Sequence, residues 1–215
     1  MADGLNMSRR IRRTPYTDRV EAAGVRGFSV VNHMLLPKAF QPSVEDDYWH
    51  LCDHVQMWDV SCQRQVEIEG PDAEQLVQWM TPRAIAKAKP GDCLYVPITD
   101  TNGGIINDPV LLKLTDDKFW LSIADSDVLL YAKGLAIGVG LDVAICEPDV
   151  SPLAVQGPKA EDLLAELFGD GIRDVGFFKY GWFDFQGTPQ LVAPPQDEFG
   201  LELDSGLSVD GRDNF

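Results

Sequence analysis

The hydrophobic pattern of this chain repeats itself. Residues 66–80, Val66-Glu-Ile-Glu-Gly70-Pro71-Asp-Ala73-Glu74-Gln-Leu76-Val-Gln-Trp79-Met, read as a short alternating strand, a Gly-Pro turn and a helix with apolar residues at helical spacing. Residues 153–167, Leu153-Ala-Val-Gln156-Gly157-Pro158-Lys-Ala160-Glu161-Asp-Leu163-Leu164-Ala-Glu-Leu167, follow the same order. Each proline suits the first turn of its helix, where a missing N–H removes no hydrogen bond. Two strand–turn–helix copies predict a duplicated α+β layer; a solenoid would need more.

Between the copies, apolar runs flank Asn102-Gly103-Gly104, which predicts a β-hairpin over Tyr95–Leu114. Asp108 interrupts the returning apolar run, and Pro109 removes a ladder donor, so a bulge or an edge is expected there. On the hairpin alone Asp108 reads as a turn aspartate. A strand is predicted over Phe119–Ala124. A helix follows over 127–138, opened by the N-cap oxygens of Asp125-Ser126-Asp127, and then an alternating strand over Leu141–Cys146. Residues 44–56 read as an acidic-capped amphipathic helix, and the aromatic run Phe177–Phe185 as a strand pair. From residue 189 on, six acids, one base and several turn formers predict a divergent, weakly ordered acidic tail. The expected division is 1–188 and 189–215.

Composition narrows the function classes. With 45% hydrophobic residues, 5 Trp and 10 Phe, the 215-residue chain can bury a substantial core. Its net charge of −16 opposes general nucleic-acid binding, whose mark is a basic face. The one basic island, Arg9-Arg10 and Arg12-Arg13, reads as a solvated arm or as a partner for an acidic ligand. Cys52, Cys62, Cys93 and Cys146 have no paired spacing, and His50 and His54 have no third ligand in sequence, so no metal and no disulfide framework is expected. No run reaches the length of a membrane span, and a cytoplasmic location is expected.

Several motifs then fall in a fixed order. Trp58-Asp59-Val60-Ser61, Ile68-Glu-Gly70-Pro71, Tyr95-Val-Pro, Gly103-Gly104-Ile105-Ile106-Asn-Asp108 and Ala154-Val-Gln156-Gly157-Pro158 resemble the folate-binding aminomethyltransferase family, to which the glycine cleavage T-protein belongs. Ser8-Arg-Arg-Ile-Arg-Arg-Thr14-Pro15-Tyr16-Thr and Val30-Val-Asn32-His33-Met34-Leu35-Leu36-Pro37 are similar to its sulfonium-demethylase branch. Two departures from the T-protein pattern favour that branch. Cys62-Gln63-Arg64 stands where T-proteins read His-Met-Gly, and Ser122-Ile123-Ala124-Asp125 where they tend to carry an Asn.

The resemblance implies transfer of a methyl group from dimethylsulfoniopropionate to N5 of tetrahydrofolate, leaving methylthiopropionate. A sulfonium is an activated donor with a neutral leaving group, so the protein mainly has to align the reactants in a water-poor pocket. By resemblance Asp108 is the catalytic residue, bonding the pterin or offsetting charge on N5. Tyr95 and Ile123 fall at the cofactor pocket, although Tyr95 reads equally as a cross-strand aromatic of the hairpin. Ser122 is a candidate for the substrate carboxylate, or a plain strand residue. Trp58, Phe178 and Trp182, with Tyr180, are candidates for cation–π contact with the sulfonium, or core aromatics. Expected partners are the small substrate and, if the chain self-associates, a second copy in a homodimer, with no nucleic acid and no membrane. Family members continue to a Gly-Phe-Glu strand with a pterin-binding glutamate and a carboxyl-terminal barrel domain. Here the sequence turns to Pro189-Gln-Leu-Val-Ala-Pro-Pro, so the fold is expected without that barrel, from a truncated or frame-shifted reading. Other readings are an aminomethyltransferase, a tRNA-modifying folate protein and a non-catalytic folate-binding module.

Overall fold

The computed structural model describes residues 10–122 and 127–193, together with the backbone of residues 205–210. A short helix, α1 (Thr17–Ala22), leads to a hairpin of β1 (Phe28–Val31) and β2 (Met34–Pro37), turned through Asn32 and His33 at positive φ. Next comes α2 (Val44–Asp53). Ser43 caps it by accepting from the Glu45 N–H, and Glu45, Asp46 and Asp47 fill the turn where the helix dipole favours negative charge.

β3 (Gln56–Asp59) passes through a buried turn into β4 (Gln65–Glu69), and α3 (Ala73–Met80) follows. Four strands then run back and forth: β5 (Cys93–Tyr95), β6 (Ile98–Thr99), β7 (Ile105–Asn107) and β8 (Val110–Lys113). β9 (Lys118–Ser122), α4 (Val128–Val139) and β10 (Ala144–Cys146) complete the first unit. The second contains β11 (Val150–Gln156), α5 (Ala160–Phe168), β12 (Gly181–Phe185), β13 (Thr188–Ala193) and β14 (Ser205–Asp210).

The strands form two five-stranded antiparallel sheets among the described residues, in the orders β10-β4-β9-β8-β5 and β12-β13-β14-β11-β3. Alternation along each strand divides the core into three. Val66, Ile68, Leu111, Phe119 and Leu121 face α3 and α4, meeting Leu76, Met80, Val128 and Ala132. Val155 and Val192 face α5, meeting Ala160 and Leu164. Between the sheets, Cys93, Leu112 and Trp120 meet Val150 and Leu191. The layering is helix, sheet, sheet, helix. A fully buried side chain such as Phe119 contributes about 2–3 kcal/mol to it by removal from water.

The duplicated turn has one physical cause in both copies. Gly70 and Gly157 sit at φ +139° and +115°, and an added Cβ would lie 2.7 Å from the Asp142 carbonyl oxygen and 2.3 Å from that of His54. No side chain fits either place. Both prolines lie just before the N-cap residues Asp72 and Lys159, two positions ahead of the first helical residue and so outside the first turn in which they were expected.

Three other expectations change. The boundary placed after residue 188 cuts through β13, whose Gln190, Leu191 and Val192 are buried. The alternation in Gln190-Leu-Val-Ala is that of a strand, and Pro189 is tolerated at its second position. Residues 205–210 also form a strand, and the rest of the tail lies outside the described residues. The aromatic run 177–185 contributes one strand, since Gly176–Tyr180 turns before β12 begins. No residue of α2 is buried, so its apolar stripe covers no core. It is tied instead by backbone bonds: Gln56 Nε2 donates to the Asp47 carbonyl and the Lys159 N–H to that of His54.

Candidate functional site

The hairpin forms as its turn signal predicts. Asp100 Oδ1 accepts from the N–H groups of Asn102 and Gly104, and Gly103 takes φ +83°. β6 pairs β7 with a register shift between Ile98 and Thr99. Asp108 and Pro109 occupy the break between β7 and β8, where the ladder resumes after the Val96 N–H donates to the Pro109 carbonyl. Proline thus marks the discontinuity, and Asp108 is turned outward at it, exposed. The Tyr95 hydroxyl donates to Asp108 Oδ2 in a short hydrogen bond. That bond to a carboxylate, more than burial, raises the Tyr95 pKa and holds the phenol protonated. The Tyr95 ring itself is 44% exposed, leaving area for a flat partner.

Strand register extends this pair into a row. Tyr95 lies opposite Val110, Val110 opposite Ser122, and Ser122 opposite Gln65. Directly opposed residues share a face, so these four side chains lie across four adjacent strands on the side turned toward the second sheet. With neighbouring strands about 4.8 Å apart, the row spans about 14 Å. It is exposed at Tyr95 and buried at Gln65. Ser122 Oγ accepts from Gln65 Nε2 at 3.2 Å. Ile123 lies outside the described residues.

The four aromatic candidates separate. Trp58 is on β3 and Trp182 on β12, the two edge strands of the second sheet, four interstrand steps or about 19 Å apart. Side chains stand roughly perpendicular to a sheet, so one small sulfonium cannot lie within the ~6 Å cation–π range of both. Phe178 and Tyr180 pack into the cluster between the sheets. The Phe178 carbonyl accepts from the Cys93 N–H, and the Tyr180 hydroxyl donates to the Lys113 carbonyl, so both join β12 to the first sheet. Among the described residues no group of three His, Cys, Asp or Glu side chains gathers to hold a metal ion. His50 and His54 stack 4.9 Å apart, and His54 Nδ1 lies 2.7 Å from Lys159 Nζ.

The turn from Asp59 to Arg64 carries a network that motif reading missed. Asp59 accepts from Thr14 Oγ1, and from the N–H and Oγ of Ser61. Arg64, buried, donates to the carbonyls of Val150 and Pro148 at 2.6 and 3.1 Å and pairs with Glu147, which also takes Arg12. The departure at Cys62-Gln63-Arg64 therefore has a structural role. It clamps the crossing between sheets to the amino-terminal segment. Sequence shows the basic island and the arginine of the altered motif, but that Arg12 and Arg64 meet on Glu147 depends on the fold.

Comparison with known proteins decides the family. The profile of the GCVT N-terminal domain matches residues 16–193. The chain belongs to the GCVT family. It is 54% identical over 186 residues to the dimethylsulfoniopropionate demethylase DmdA of Ruegeria pomeroyi, covering 86% of this chain and 51% of that one. It is 29% identical over 203 residues to a probable aminomethyltransferase of Halobacterium salinarum, covering 90% and 55%. The glycine cleavage system aminomethyltransferase T of Bartonella henselae shares the fold, with a TM-score of 0.76 at 21% identity over 93% of this chain and 53% of that one. This GCVT chain thus spans about half the length of the relatives it matches. Among its described residues no helix is long and apolar enough to cross a membrane.

Proposed function

We propose that this chain binds tetrahydrofolate and serves methyl transfer from dimethylsulfoniopropionate to folate N5, giving methylthiopropionate. The 54% identity to a demethylase of that substrate over 86% of the chain carries the reading. The row from Tyr95 to Gln65 supports it chemically. A reduced pterin offers a flat face and N–H groups; the row supplies an exposed ring and the acceptor Gln65, and Asp108, bonded to Tyr95, supplies a second acceptor.

Bound tetrahydrofolate supplies a secondary amine as methyl acceptor. Asp108 would offer its carboxylate to the positive charge that develops on that amine and would accept the proton it loses. Tyr95 fixes that carboxylate by donating to Oδ2. The methyl–sulfur bond breaks with its electron pair going to sulfur, so the leaving thioether needs no acid.

The test is an assay of methylthiopropionate formation by this chain with dimethylsulfoniopropionate and tetrahydrofolate, alongside a tetrahydrofolate titration. Product formation supports the proposal. Binding without product identifies a folate-binding module. Absence of binding overturns every folate reading.

A further inference from the structure

One buried amide is left half satisfied. Gln65, 5% exposed, donates from Nε2 to Ser122 Oγ and, at 3.4 Å, to the Gln63 carbonyl, while its Oε1 has no hydrogen-bond partner among the described residues. Only an N–H end can face the Gln63 carbonyl, so the orientation of the amide is fixed and the acceptor end is the orphan. An unfilled buried acceptor is a standing cost, and native proteins fill such groups or use them. Gln65 opens β4 directly after the clamped Asp59–Arg64 turn and ends the row containing Tyr95 and Ser122. The amide is therefore held through its nitrogen by two neighbours, with its oxygen at the buried end of the candidate site.

We infer that Gln65 is a cofactor-binding residue whose side-chain oxygen accepts an N–H of the pterin ring, with Ser122 as its positioning residue. The choice between the two ligands follows from their chemistry. Dimethylsulfoniopropionate has a sulfonium, methylene groups and a carboxylate, and no N–H or O–H to donate. The reduced pterin has several. This inference rests on the proposed folate function and adds a residue to it.

Replacing Gln65 by methionine keeps the volume and deletes the orphan. Gln190 provides the control. It is 2% exposed and its Oε1 also lacks a partner among the described residues, but it faces α5 from β13, opposite Phe183, on the far side of the second sheet. Thermal unfolding and tetrahydrofolate titration are run on the whole chain with Q65M, Q190M and S122A. Q65M is expected to melt at or above the parent temperature and to bind about tenfold more weakly, a difference of about 1.4 kcal/mol. Q190M is expected to leave affinity unchanged, and S122A to weaken binding about threefold by freeing the amide. Unchanged affinity in Q65M, or a lowered melting temperature with unchanged affinity, overturns the inference and leaves the folate reading standing. Failure of the parent chain to bind overturns both.

Discussion

Tyr95 and Asp108, 13 residues apart, meet where the ladder between β5 and β8 gives way to the twisted hairpin tip, and the phenol donates to the carboxylate. Neither side chain is buried, so the contact holds an orientation and carries little folding energy. Asp108→Ala is expected to lower methyl-transfer turnover roughly 10- to 100-fold while changing stability by less than about 0.5 kcal/mol. Tyr95→Phe, which keeps the ring, is expected to have a smaller effect on turnover. Product formation per folded molecule, with a urea melt beside it, checks both. A large stability loss with undiminished specific turnover would make Asp108 structural.

The same bond has a spectroscopic signature. Hydrogen bonding to Asp108 raises the Tyr95 pKa above the usual 10. In Asp108→Asn the acceptor loses its charge, so the phenolate absorbance of one tyrosine is expected to appear at lower pH than in the parent. An unchanged titration curve would contradict the bond.

Alkaline pH is expected to unfold the protein through its interior. Burial, with Asp92 adding, pushes the Cys93 thiol from 9 up to about 12, and burial with the Asp59 charge pushes Tyr16 well above 10. Each group has its pKa raised on folding, so its contribution is complete below the unfolded value and is lost as pH climbs toward the folded one. For Cys93 that window is about 9 to 12, with a slope near 1.4 kcal/mol per pH unit. Urea melts across this range should show the slope, and Cys93→Ala should reduce it by about one proton.

The paired turns differ from other glycines in a measurable way. Gly157→Ala is expected to cost more than about 3 kcal/mol, because positive φ adds to a collision with the backbone at His54 and Leu51. Gly103→Ala, at φ +83° in open space, should cost about 1 kcal/mol. Comparable midpoints in urea for the two variants would refute the close approach.

Lys113 separates pairing from packing. It is 4% exposed, with Nζ 3.2 Å from Glu74 Oε2 and 5.4 Å above the Phe119 ring. Glu74→Ala leaves the buried cation to Asp116 Oδ1, 3.8 Å away and exposed, and is expected to cost about 1 kcal/mol, discounted because Glu74 is half exposed, while Lys113→Met should cost less than that. Chemical denaturation of the two variants orders these costs.

Local chemistry is what the sequence made readable. The glycines of the Gly-Pro turns, the Asn-Gly-Gly hairpin and the break at Pro109 follow from backbone demands that few residues meet, whereas α4 forms without the side-chain cap expected of Asp127. The row Tyr95–Val110–Ser122–Gln65 was not readable, because it depends on register among four strands, two of which are separated in sequence by α3. The aromatic run misled for the converse reason. Phe178, Tyr180 and Trp182 look alike in composition, and only the turn before β12 sends two of them inward and leaves one outside. Strand β13 was hidden by prolines and acids around it, although its own alternation was correct.

The clamp at Arg64 and Glu147 bears on how this scaffold diversifies. Asp108 owes its place to a proline-marked gap in a ladder, and the amino-terminal segment is secured by an arginine more than 40 positions away in the chain. Neither anchor belongs to the row Tyr95–Val110–Ser122–Gln65. Substitutions along the row can therefore accumulate while Asp108 and the amino-terminal segment stay where they are.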